Sequence, residues 1–182
     1  GGTFTYDGKA HDAEVSVSTL PTGYTLEKAE SNDTATHVAE GTVTANCDTL
    51  VIKNAKGVDV TSKLNIRYVD GSITIKPATL TVSTPDASKV YDGTPLTAEG
   101  TITGFVNGET ATFTTTGTQT AVDSSDNTYS ITWDKTAAES DYTISESIGT
   151  LTVTEYAGEI TVTTTGGTFT YDGKAHDAEV SV

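Results

Sequence analysis

The chain has 182 residues, with 25 Asp and Glu against 10 Lys and Arg, and a formal net charge of −15. Such a charge opposes binding to nucleic acid or anionic membrane, which needs a Lys/Arg footprint, and no apolar run approaches the ~20 residues of a membrane-spanning helix. A single cysteine, Cys47, with no methionine, excludes an intramolecular disulfide framework.

About a fifth of the residues are threonine, a β-branched polar residue suited to the wet face of a strand. The expected strands alternate apolar and polar positions, the period of a half-buried strand. In chain order, Phe4 and Tyr6 share one strand face and run into Asp7-Gly8, which reads as a hairpin turn behind an aromatic anchor. A short helix is expected over Asp59–Leu64, capped by Asp59 or Thr61. Further strands are expected at Ile73-Thr74-Ile75, Leu80-Thr81-Val82, Tyr129–Trp133, Leu151-Thr152-Val153 and Ile160-Thr161-Val162. No window carries a helical apolar pattern over three turns.

Repetition sets the organisation. Residues 1–17, GGTFTYDGKAHDAEVSV, recur unchanged as residues 166–182, the mark of a tandem array. Within that long period Tyr-Asp-Gly occurs at Tyr6, Tyr91 and Tyr171. The closing segments Leu64 … Gly71-Ser72-Ile73-Thr74-Ile75 and Tyr142 … Gly149-Thr150-Leu151-Thr152-Val153 keep the same spacing. The chain therefore divides into unit A (1–77, lacking a first strand), unit B (78–157) and the first strands of a next unit A (158–182). Each unit has room for one small β core. Short junctions at Lys76-Pro77-Ala78 and Glu155–Gly158 predict a rod of units held end to end. The expected fold class is all-β: tandem small β-sandwich, immunoglobulin-like units, with β-grasp-like units carrying one short helix as the alternative.

Chemistry-bearing constellations are sparse. The histidines are His11, His37 and His176, and no nucleophile elbow, Cys-x-x-Cys, His-Glu-x-x-His or P-loop is present, so no enzyme is expected. Cys47 lies between Asn46 and Asp48, with no base or cation to activate it. No cofactor is expected; Asp123, Asp126 and Asn127 are weak calcium candidates on ligand type alone, without the EF-hand pattern. Lys89 stands two residues before Tyr91, as Phe4 does before Tyr6, a phase that aims it at the core. It is the one candidate for an intramolecular amide crosslink, which needs a desolvated lysine beside a protonated carboxyl group.

The Tyr-Asp-Gly openings, the Gly-Thr-Leu-Thr-Val close, Lys89–Leu96 and Gly57–Thr61 resemble the tandem β-rich MBG or YDG repeats of large bacterial cell-surface adhesins. The resemblance implies an extracellular stalk of a wall-anchored parent protein, extending and presenting a distal binding region. The alternative is a repeat module gripping host glycan, mucin or protein, with Tyr24, Tyr68, Tyr129 and Trp133 as the plausible aromatic contacts. Residues 159–165 run directly into Gly166-Gly167. Strands of 158–182 are accordingly expected to complete unit A of a neighbouring repeat or another copy of the chain, joining copies head to tail by strand addition.

Overall fold

A computed structural model describes residues 1–182. The protein is all-β, with seventeen strands, three single 3-10 turns and no α-helix. Unit A contributes β1 (Gly2–Thr5), β2 (His11–Asp12), β3 (Tyr24–Glu30), β4 (Thr34–Ala35), β5 (Thr42–Ala45), β6 (Thr49–Asn54) and β7 (Gly71–Lys76). Unit B contributes β8 (Ala78–Ser83), β9 (Ala87–Val90), β10 (Thr101–Thr103), β11 (Thr112–Thr115), β12 (Asp123–Asp126), β13 (Tyr129–Thr132), β14 (Tyr142–Ser147) and β15 (Thr150–Thr154). The final segment holds β16 (Thr163–Thr165) and β17 (Glu179–Ser181).

Unit B is a small sandwich-like unit built from two three-stranded sheets, β10-β8-β14 and β12-β15-β9, with the antiparallel β11–β13 pair beside them. Two long runs of chain, β8 into β9 and β14 into β15, lie parallel throughout, 64 residues apart, as in Ser83↔Ser147 and Ala87↔Leu151. Both runs cross from one sheet to the other at the same corner. Thr84 N–H donates to Ser147 O at 3.0 Å, and Gly149 N–H donates to Thr84 Oγ1 at 3.0 Å. A Cβ on Gly149 would sit 2.3 Å from the Pro85 carbonyl carbon, so the corner needs glycine there. Buried Asn127 ties it to its surroundings, donating through Nδ2 to Pro85 O and Ala98 O, both at 3.0 Å. The alternating pattern does what the period predicts: Leu80, Val82 and Leu151 are fully buried and their threonine neighbours face outward.

Unit A repeats part of this plan. Its β1-β7-β5 sheet has the same parallel and antiparallel neighbours as β9-β15-β12, and β3–β6 corresponds to β11–β13. The β2–β4 pair at His11↔Ala35 corresponds to the Leu96↔Gln119 bridge. Unit A contains no counterpart of the β10-β8-β14 sheet: residues 13–21 and 64–70 carry no strand.

The single helical turn expected within Asp59–Leu64 forms as a 3-10 turn over Thr61–Lys63, preceded by Asp59, which accepts the Thr61 N–H at 2.9 Å. Two other local expectations are corrected. Tyr-Asp-Gly is not a hairpin turn, because β1 pairs with β7 and β2 with β4. It is an Asx turn at a sheet corner: Asp7 Oδ1 accepts Lys9 N–H and Asp92 Oδ1 accepts Thr94 N–H. The following glycines take φ of +74° and +77°, which β-carbon-bearing residues avoid. Ile160–Val162 forms no strand; β16 begins one residue later, because a strand needs a partner and these residues have none.

Candidate functional site at the junction of the two units

Only Pro77 separates β7 from β8. Proline cannot continue the ladder, yet the units on either side do not part. Tyr6, Ile73 and Ile75 of unit A and Ala78, Leu80, Ala137 and Tyr142 of unit B belong to one buried cluster. The junction is a shared core instead of a linker.

Aromatic rings fill it. Tyr6 meets Tyr142 edge to face with centroids 5.6 Å apart, Phe105 meets Tyr142 similarly at 5.5 Å, and Trp133 stacks on Tyr142 at 6.1 Å. Each such pair adds about 0.5–1.5 kcal/mol beyond area burial. Tyrosine suits this place because each hydroxyl finds a polar partner. Glu109, on the loop after β10, takes both: Tyr6 donates to Oε1 at 2.5 Å and Tyr142 to Oε2 at 2.7 Å. Burial, and then the Glu109 carboxylate, push the Tyr142 phenol up to about 12 and the Tyr6 phenol higher still.

A second contact lies beside the first. The 3-10 turn over Val38–Glu40 in unit A faces the turn over Glu139–Asp141 in unit B. Asp141 is fully buried, and its Oδ2 lies 2.6 Å from His37 Nδ1 while Oδ1 accepts the Val38 N–H at 2.8 Å. A buried carboxylate is tolerated where it is hydrogen-bonded and paired, and Asp141 has both kinds of partner. The hydrogen bond to Asp141 raises the His37 pKa above the ordinary histidine value. Glu40 steadies the turn by accepting the Thr36 and His37 N–H groups, which hold its carboxyl below the usual range.

The sequence-singled residues lie elsewhere. Lys89 is mostly buried, but its Nζ sits over the Tyr-Asp-Gly turn, 2.7 Å from Asp92 Oδ1 and 2.5 Å from Thr94 O. The ammonium and the Thr94 donors hold Asp92 well below the usual carboxylate range, the reverse of the protonated state that amide formation asks for. In unit A the same turn is held by His11, 3.0 Å from Asp7 Oδ1 and stacked on Phe4. Asp123 and Asp126 are exposed on β12, and Asn127 is buried: its Nδ2 donates to Pro85 O and Ala98 O, while its Oδ1 has no hydrogen-bond partner. No group of three or more His, Cys, Asp or Glu side chains is arranged to hold a metal ion. Cys47 is half-buried, with Sγ 3.4 Å from Thr49 O. Tyr129, Ile131 and Trp133 line an open groove on unit B beside Ile144, Glu139 and Glu146.

Sequence reasoning did not find Glu109, Asp141 or the destination of Tyr6. The repeat carried no signal for it: Tyr6 and Tyr91 open the same motif, yet Tyr6 is 3% exposed in the junction and Tyr91 53% exposed.

Residues 80–152, nearly all of unit B, match the model of the MBG domain of the YGX type. No curated protein and no solved structure matches the chain. No helix is long and apolar enough to cross a membrane.

Proposed function

We propose, from the MBG-type match over residues 80–152, that these units are non-catalytic stalk repeats of a bacterial surface adhesin, extending and presenting a distal binding region. The observation that carries this reading is the junction. Two units with one core between them, joined by Pro77 and clasped by Tyr6, Glu109 and Tyr142, have no hinge. Units in an array then transmit force and direction, as solenoid-like stacks do. The net charge of −15 keeps such a rod soluble and apart from like-charged surfaces. Small-angle scattering of the full chain is the test. One rigid particle is expected, and a Tyr6→Ala/Tyr142→Ala variant should bend freely. A broad range of inter-unit distances in the unaltered chain would refute the stalk.

A second reading has its own observation, the groove of Tyr129, Ile131 and Trp133 flanked by Glu139 and Glu146. Aromatic faces beside carboxylates are a setting for sugar rings, and host glycan is the occupant this reading names. Trp133 fluorescence titrated with mucin glycans tests it; no shift at millimolar sugar removes it.

A further inference from the structure

Unit A lacks the β10-β8-β14 sheet of unit B, and the difference leaves a matched pair of surfaces on this chain. In unit B, β8 lies between β10 and β14, pairing antiparallel with one and parallel with the other. Counting forward from the Tyr-Asp-Gly turns, β10 corresponds to Ser16–Ser18; counting back from the closing strands, β14 corresponds to Leu64–Val69. Neither segment is paired, and no strand lies between them. An apolar groove of about 450 Å³ runs there instead, lined by Val15, Val17, Ile52, Leu64, Ile66 and Cys47 among others.

The complement sits at the other end of the chain. Eighty residues after β8, matched through Tyr91 and Tyr171, Ile160 and Val162 hold the places of Leu80 and Val82. Leu80 and Val82 are both 0% exposed, but Ile160 is 67% and Val162 59% exposed. Apolar residues alternating on one open strand are an edge awaiting a partner. The hairpin beyond them already repeats the unit B register: Thr163↔Ser181 is Ser83↔Thr101 moved by eighty residues.

We propose that the groove of unit A takes residues 158–165 of a second copy of this chain. The unit B pairings set the register: the strand runs parallel to Leu64–Val69, with Ile160 opposite Ile66 and Val162 opposite Tyr68, and antiparallel to Ser16–Ser18, with Val162 opposite Val17. The present partner of β16 is β17, and residues 179–182 are identical to residues 14–17. Moving the strand from its own chain to the neighbour therefore exchanges one sequence for the same sequence. The exchange adds the second ladder to Leu64–Val69 and covers two exposed apolar side chains. Donor and acceptor surfaces differ, so the contact is head-to-tail and builds open chains instead of closed dimers. The inference stands on this geometry and not on the stalk reading.

Cys47 lines the groove and is the only thiol, which makes it a reporter. The test follows the full chain by sedimentation over a wide concentration range, with Cys47 reactivity toward a thiol reagent measured alongside. The expected result is association that grows with concentration while Cys47 becomes protected in step. Ile160→Asp/Val162→Asp alters only exposed positions; it should move association to at least roughly tenfold higher concentration and keep Cys47 reactive. A synthetic GEITVTTT peptide in excess should break up the assemblies and protect Cys47 in the double variant. Three results overturn the proposal: a monomer whose Cys47 stays reactive even with the peptide, a monomer with Cys47 already protected, or association that survives the double variant. Flexible scattering with association intact would sink the stalk alone.

Discussion

Asp141 of unit B holds His37 of unit A across the unit junction, Oδ2 to Nδ1 at 2.6 Å, with the carboxylate fully buried and the imidazole half exposed. Removing the acceptor leaves the Val38 N–H and the imidazole without their partner. Asp141→Ala should cost about 2–3 kcal/mol, the scale of hydrogen bonds to a charged group, and loosen the junction before either unit unfolds. Urea unfolding with tryptophan fluorescence from Trp133, which packs against the shared core, reads it.

The same pair makes the junction respond to pH. His37 is raised in the folded protein, first by its bond to Asp141 and then by attraction to Asp141, Glu40 and Glu109. A raised pKa contributes stability that is fully present below the unfolded histidine value of about 6.5 and lost as pH rises through the folded value. Melting temperature should therefore fall as pH rises above about 6.5. In Asp141→Asn that slope should vanish, and a slope unchanged by the substitution would assign the effect to another group.

Acid acts in the opposite direction. Asp7, Glu40, Asp59, Asp92 and Asp134 are all held below the ordinary carboxylate range by hydrogen bonds, Asp92 first by Lys89 and Asp59 first by the Thr61 N–H. Lowered values contribute stability present above the unfolded values of about 4 and lost as pH falls through the folded ones. These groups are solvent-facing, so each share is small. Stability should peak on the mildly acidic side of neutral and decline below about pH 4, as followed by circular dichroism.

Glu109 takes two tyrosine hydroxyls, so its loss should exceed that of either tyrosine. Tyr6→Phe removes one charge-assisted bond, at about 1.5–3 kcal/mol. Glu109→Leu strands both hydroxyls in a buried site and should cost more than Tyr6→Phe and Tyr142→Phe taken separately. A Glu109→Leu protein as stable as Tyr6→Phe would mean that solvent reaches the hydroxyls.

Asn127 holds the corner where the two parallel runs change sheets. Asn127→Ala leaves the Pro85 and Ala98 carbonyls without its donors, and each unmade buried bond costs about 1–3 kcal/mol. Unit A carries Ala45 at the corresponding place, so the loss should unfold unit B first. Hydrogen exchange localised to β8, β9, β14 and β15 would show it.

Lys89 should leave no covalent trace. Intact mass is expected at the full calculated value, and a deficit of one water or ammonia would contradict the ion pair with Asp92. Lys89→Gln should leave overall stability nearly unchanged, since Asp92 is more than half exposed and the pair is screened by solvent.

Strand identity was legible because burial of one face imposes a two-residue period: Leu80 and Val82, or Leu151 and Val153, announce their faces locally. Pairing was not. Nothing near Gly2 indicates that it lies beside Ile73 in parallel, or that Tyr-Asp-Gly turns a corner instead of closing a hairpin. The strand phase of Lys89 aims it at the interior, but its flexible stem carries the ammonium back to Asp92, and alternation does not describe the end of a long side chain. Ile160–Val162 read as a strand and remains unpaired, since propensity supplies a strand's shape and only a neighbour supplies its ladder.

The seventeen repeated residues, the Tyr-Asp-Gly spacing and the threonine-rich alternation determined the all-β class and the internal repetition of the chain. Those properties depend on local period and on self-comparison, both present in one dimension. The tertiary structure alone decided that Tyr6 crosses into unit B, that His37 meets Asp141 104 residues away, and that unit A keeps an open groove where unit B has β8. Each of these is a meeting of distant segments, chosen by register and shared burial, which no window of sequence contains.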